Sequence, residues 1–259
     1  MSARHFGVDG CRAGWFCVGL EKEKLSGELY PSLWSLVEAA GREGNVLVDI
    51  PIGLKAGSEG PRQCDVLARQ HLGKRASSVF SAPIRELLEA GAYAEANALS
   101  RALSGKGLSK QTWNICGKIR EADRLLQTSD SARQRLREAH PELCFYGLNH
   151  GRPMQHAKRS QAGFEERLAL LARHLPDVRP FLDNMLIRYP RSQLARDDVL
   201  DATVCALTAS LPASWRRLPA KPEKDRTGLV MEILFPDFSH AWQAEEMAGR
   251  EARPGDSIA

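Results

Sequence analysis

The apolar positions of the first fifty residues come in short blocks cut by turn residues. "HFGVDG" ends in glycine, "WFCVGLEK" is apolar and rich in strand-favouring side chains, and "GELYPSL" follows a polar turn, so the three predict an antiparallel meander. "SLWSLVEAAGREG" then carries apolar residues at helical spacing with glycines behind it, and "NVLVDIPIGL" is a continuous apolar run broken by proline. The predicted order is β-β-β-α-β.

From about residue 60 to 140 the pattern is mainly helical, with turns at "SAP" and "SGKGLS". The short apolar run "LCFYGL" predicts a further strand. Residues 160–188 predict two helices separated by "LPDVRP", and 196–211 is the strongest helix of the chain. "LVMEILF" predicts a late strand, and the last residues, "AGREARPGDSIA", a frayed end. The expected organisation is one domain over 1–215 with a helical insertion at about 60–140, followed by a C-terminal extension over 216–259.

Composition narrows the class. With 43% hydrophobic and 26% charged residues in a chain of 259, a substantial core is expected and disorder is not. The net charge of +4 tolerates a polyanionic partner without demanding one. No apolar run approaches the roughly 18 residues a membrane helix needs, and "MSARHFGVDG" has no leader-like apolar core, so the expectation is a cytoplasmic protein away from membranes. Cys11, Cys17, Cys64, Cys116, Cys144 and Cys205 are scattered singly, which argues against a zinc site or a disulfide framework.

The candidate chemistry lies in the acids. "ARDDVLDATVCALTASL" opens an apolar helix with Asp197, Asp198 and Asp201. At 100° per residue Asp198 and Asp201 lie about 60° apart, on adjoining turns. A helix cap accounts for Asp197 or Asp198, but Asp201 sits a turn inside, between an apolar stripe and a small-residue face of Ala202, Ala206 and Ala209 suited to close contact with a sheet. Asp9 in "FGVDGCRAGW" and Asp49 in "NVLVDIPIG" each fall at the end of an apolar strand. Either alone reads as a turn cap; if their strands are parallel neighbours, the two stand side by side. Like charges so placed need a cation or a proton, and a hard divalent ion such as Mg²⁺ or Mn²⁺ suits carboxylate oxygens.

"GVDGCRAGW", "VDIPIGL", "RQCDVLARQHLGKRASSVF", "HPELCFYGLN" and "DDVLDATVCALTA", in this order, closely resemble a family of unknown function, domain of unknown function 429, whose members are predicted to be nucleases of the ribonuclease H fold. The resemblance runs from about residue 5 to 211. It implies an α/β fold, a ribonuclease H-like mixed five-stranded sheet whose first three strands are antiparallel, with helices on both faces and a helical insertion. It also implies two divalent metals on Asp9, Asp49, Asp198 and Asp201, hydrolysing a phosphodiester of DNA or RNA. Glu142 belongs to one family motif, as a fourth ligand, a supporting group or a plain turn acid. Arg12, Arg75 and Lys158 are candidate phosphate contacts and Trp15 or Trp113 candidate stacking residues, each with an ordinary surface or core role as the alternative. His140, beside a proline, is a weaker candidate.

Two other readings compete. The first strand-turn also fits an ATP-binding phosphotransferase or ATPase of the actin-like and sugar kinase type, although no second glycine-rich phosphate loop is seen. A catalytically silent nucleic-acid-binding module would lack some of the acids, and here each expected position is filled. A resolvase-like activity would call for a homodimer, because two strands must be cut in register.

Overall fold

The computed structural model describes residues 4–238. β1 (His5–Cys11) and β2 (Gly14–Glu21) form a hairpin closed at Arg12-Ala13, with Asp9 opposite Phe16. β3 (Lys24–Tyr30) pairs antiparallel to β2 and alternates between exposed and partly buried positions, as an edge strand does. Through α1 (Leu33–Ala39) the chain crosses to β4 (Val46–Val48), parallel to β1, and much later adds β5 (Leu136–Glu138), parallel to β4. The order β3-β2-β1-β4-β5, antiparallel over the first three strands, is a ribonuclease H-like arrangement, as expected.

Strand alternation feeds two cores. Phe6, Val8, Trp15, Cys17, Val46 and Val48 join one with α1 and α4 (Lys110–Thr128). Phe16, Val18, Leu20 and Leu47 join the other with α6 (Pro141–Leu148), α7 (Gln161–Ala172), α8 (Val178–Arg188) and α9 (Arg196–Ala209). Of the remaining helices, α2 (Gln63–Leu72) packs against a hairpin of β6 (Trp215–Lys224) and β7 (Val230–Pro236). α3 (Tyr93–Ser104) and α5 (Asp130–Arg135) flank α4.

α9 lies directly on β1. A Cβ added at Gly7 would sit 2.0 Å from the Ala202 carbonyl oxygen and 2.1 Å from the Ala206 nitrogen. Glycine on the strand and alanines on the helix therefore allow backbone contact between two elements normally kept apart by side chains. Asp9, two residues beyond Gly7, falls on the same face of the sheet.

Some elements differ from the pattern reading. "LCFYGL" is helical, not a strand: Pro141 occupies the first turn with Glu142 behind it, and burial on nearly every side removes the polar face that would reveal the helical period. The fifth strand is instead "LRE", three residues with no periodic signal, inside the region expected to be an insertion of helices. The late strand is present as β7, but its partner β6 is polar and punctuated by two prolines, and the pattern does not reveal it. The frayed end lies outside the described residues.

Replacing Gly7 by valine is expected to destabilise the fold by about 3 kcal/mol or more, because the obstacles are backbone atoms. Gly117, in the interior of α4 with no atom within 4 Å of an added Cβ, is the contrast. Gly117→Ala is expected to stabilise by roughly 0.5–1 kcal/mol. Urea unfolding of the two variants beside the wild type checks both.

Candidate metal centre

The register of three parallel strands sets the site. Val8 pairs with Val48 and Val48 with Glu138, so Asp9 and Asp49 follow side by side, Asp49 just past the end of β4 and Asp9 inside β1, which runs on to Cys11 against β2 rather than ending at the aspartate as expected. The Asp49 amide donates to the Val8 carbonyl at 2.9 Å. α9 brings in the third acid: one carboxylate oxygen each from Asp9, Asp49 and Asp201 all lie within 4.8 Å of one another. Asp9 is 8% and Asp201 2% exposed, and Asp201 Oδ1 is buried without a hydrogen-bond partner. The three line a cleft of about 500 Å³ with Asp198, Glu142, His140, Lys118 and Lys158.

The loop after β4, which follows Asp49 with "IPIGLKA", is pinned by acids the sequence gives no reason to single out. Ile52 N–H donates to Glu138 Oε2 at 2.7 Å, and Leu54 N–H donates to Asp225 Oδ2 at 2.9 Å. Glu138 in turn accepts from Arg62 at 2.6 Å, and Asp225, at the turn of the β6–β7 hairpin, accepts from Arg85. Gly53 in this loop has φ +74°, a conformation that favours glycine.

Burial raises the Asp9 carboxyl well above the usual carboxylate range, and Asp49, Asp201 and Asp198 add to the rise against the pull of Lys158. Burial also raises Asp49, with His140 and Lys158 opposing it, and pushes Asp201 up to about 7, again against Lys158. Lys158 donates to Asp201 Oδ2, and the acids around it hold its ammonium above the normal lysine range although burial works the other way. The cluster titrates as a group short of positive charge.

The remaining candidates take distinct places. Asp198 lines the cleft, but its Oδ2 accepts from its own helix's Ala195 N–H at 2.9 Å, the capping role open to an acid there. Glu142 is buried against Arg167, which donates from Nε at 2.7 Å, and its other oxygen is unpartnered. Arg12 is exposed on the β1–β2 turn, and its charge is among those that lower the Asp198 pKa against the rise from burial. Arg75 donates to the carbonyls of Met154 and Gln155, clamping the loop that carries Lys158. His140 Nε2 lies 3.3 Å from the Ser78 carbonyl.

Trp15 does not present a stacking face: it is fully buried and donates to Glu121 at 2.9 Å. Trp113 packs against Tyr93 in a small satellite core. A cation that the sequence does not single out is Lys118, on α4, whose ammonium donates to the Gly14 carbonyl and lies 4.5 Å from the Trp15 ring centroid. Nothing in the amphipathic pattern of α4 distinguishes it from an ordinary surface lysine.

The family described as a protein of unknown function, DUF429, matches residues 7–224. The chain belongs to that family. No curated protein and no solved structure matches this DUF429 chain. Among its described residues no helix is long and apolar enough to cross a membrane.

The electrostatics of the DUF429 site give a pH test. A carboxyl whose pKa is raised on folding contributes stability that is complete below its unfolded pKa of about 4 and is lost as pH rises through its folded value. Asp9→Asn removes that loss. Without divalent metal, the variant is expected to match the wild type near pH 4 and to melt higher near pH 8. Each kcal/mol of relieved repulsion corresponds to about 2–4 °C. A melting difference of the opposite sign at pH 8 contradicts the crowding of acids around Asp9.

Proposed function

We propose that this protein is a metal-dependent phosphodiester hydrolase acting on nucleic acid. The observation that carries the reading is the convergence of Asp9, Asp49 and Asp201, from β1, the end of β4 and α9, within 4.8 Å in a cleft. Three oxygen donors, two buried and one partly buried, one of them with an unpartnered oxygen, fit a hard divalent cation such as Mg²⁺ or Mn²⁺. When bound, such an ion supplies Lewis-acid polarisation of a phosphoryl oxygen and acidifies a water toward neutrality.

The chain's own groups have separable tasks in this reading. Asp9, Asp49 and Asp201 hold the ion through their carboxylate oxygens. Lys158 and Lys118, both lining the cleft, draw phosphate oxygens toward the acids, which would otherwise repel a polyanion. Asp198, by bonding the first turn of α9, keeps Asp201 at a fixed height above the strand ends. Phe80, 45% exposed in the cleft lining, offers an apolar surface for a sugar or base.

Calorimetric titration of Mn²⁺ into wild type and Asp9→Asn, followed by incubation with labelled single-stranded, duplex and branched DNA and RNA, tests the proposal. The expected result is metal-dependent cleavage of at least one substrate, falling by more than about a hundredfold in the variant, beyond the usual cost of disturbing a group that only supports a metal ligand. If neither protein binds metal even with nucleic acid present, the carboxylates are structural, and ATP hydrolysis becomes the next assay.

A further inference from the structure

Lys158 is held in the site more firmly than a surface lysine. Its loop, between α6 and α7, is tied on several sides. Arg75 Nε donates to the Met154 carbonyl at 3.0 Å, and Glu166 accepts from Gln155 N–H at 2.7 Å and His156 N–H at 3.0 Å. Arg167, whose guanidinium is fixed by Glu142, also donates to the His156 carbonyl at 3.3 Å. Beyond Lys158, Gly163 opens α7 with so little room that an added Cβ would lie 2.0 Å from the Ala157 carbonyl oxygen. These contacts fix the backbone on both sides of Lys158, and the ammonium rests on Asp201 Oδ2.

Charge balance gives this placement a meaning. One ammonium and one divalent ion together neutralise three carboxylates. Glu142 is already matched by Arg167, and Asp198, one oxygen of which is engaged at the start of its helix, shares the cleft with the Lys118 ammonium. A second divalent ion on the Asp201 side would have to share Oδ2 with a fixed ammonium, which repels it. Asp9 and Asp49, by contrast, have no ion-pair partner among the described residues.

Resting on the metal-site reading above, we propose that the centre takes a single divalent cation, held chiefly by Asp9 and Asp49 with the free oxygen of Asp201, and that Lys158 occupies the position of a second ion. The resemblance to two-metal nucleases would then extend to the acids but not to the ion count.

The test is the number of Mn²⁺ ions bound, read by electron paramagnetic resonance of free Mn²⁺ during titration of the full chain. Wild type is expected to bind one ion per chain. Lys158→Met, which keeps the side-chain length and removes the charge, is expected to bind two, the second at least about tenfold tighter than any weak further binding in wild type. Lys158→Arg, which keeps the charge, is expected to remain at one, and circular dichroism melts show whether each variant is folded. Two ions of comparable affinity in wild type, or one in a folded Lys158→Met, overturns the assignment of Lys158 while leaving a metal centre intact. No Mn²⁺ bound by wild type overturns the metal-site reading itself.

Discussion

The close approach of α9 to β1 is the constraint on which the rest depends. Because Gly7 has no side chain, Ala202 and Ala206 come to rest on the strand backbone, and the acid one residue before Ala202 lands beside the acid two residues after Gly7. Helix-to-sheet packing normally leaves a layer of side chains between the two. Here that layer is missing at one point, and a carboxylate pair fills the space next to it. The rest of α9, buried from Val199 to Ala209 and apolar there except for Asp201 and two buried threonines that bond back to their own helix, supplies the hydrophobic stabilisation that offsets the crowding of charge at its head.

How the molecule treats its buried acids separates structural from chemical ones. Glu138 has Arg62, Glu142 has Arg167, Asp123 has Arg85, and Glu232 has Arg137. In each case the partner is an arginine, permanently charged and able to reach a carboxylate with more than one donor. The three clustered aspartates are matched differently: Asp201 meets a lysine, and Asp9 and Asp49 have no ion-pair partner among the described residues. Carboxylates left so are costly, and that cost is what the proposed metal site rests on.

Much of this was legible in residues with a strong local signature. Asp9 and Asp49 stand out because each ends an apolar block, but the parallel pairing that makes them neighbours is only a condition of that reading, and the fold supplies it. Asp201 stands out because a charge inside an apolar helix has few neutral explanations. What local pattern cannot show is partnership across the chain. Arg75 looks like a phosphate contact in sequence, and only the fold reveals that it holds backbone carbonyls of another loop. Glu138 is one of three residues in a strand too short to read, although it fixes the loop beside Asp49. α6 is hidden for the opposite reason: its surroundings are apolar on nearly all sides, so its sequence has no polar face to mark the turn of the helix.

The order in which these parts occur along the chain has a consequence for synthesis. A ribosome releases β1 and β4 early, with Asp9 and Asp49 already able to align, but Lys158 follows more than a hundred residues later and α9 later still. The turn acid that braces the loop after β4, Asp225, comes after all of them. Between Asp49 and Lys158 the nascent chain therefore carries the acids of β1 and β4 with neither Lys158 nor the covering helix α9. The three carboxylates come together only once α9 has followed β1 and β4, and the loop after β4 is braced only once Asp225 has followed α9.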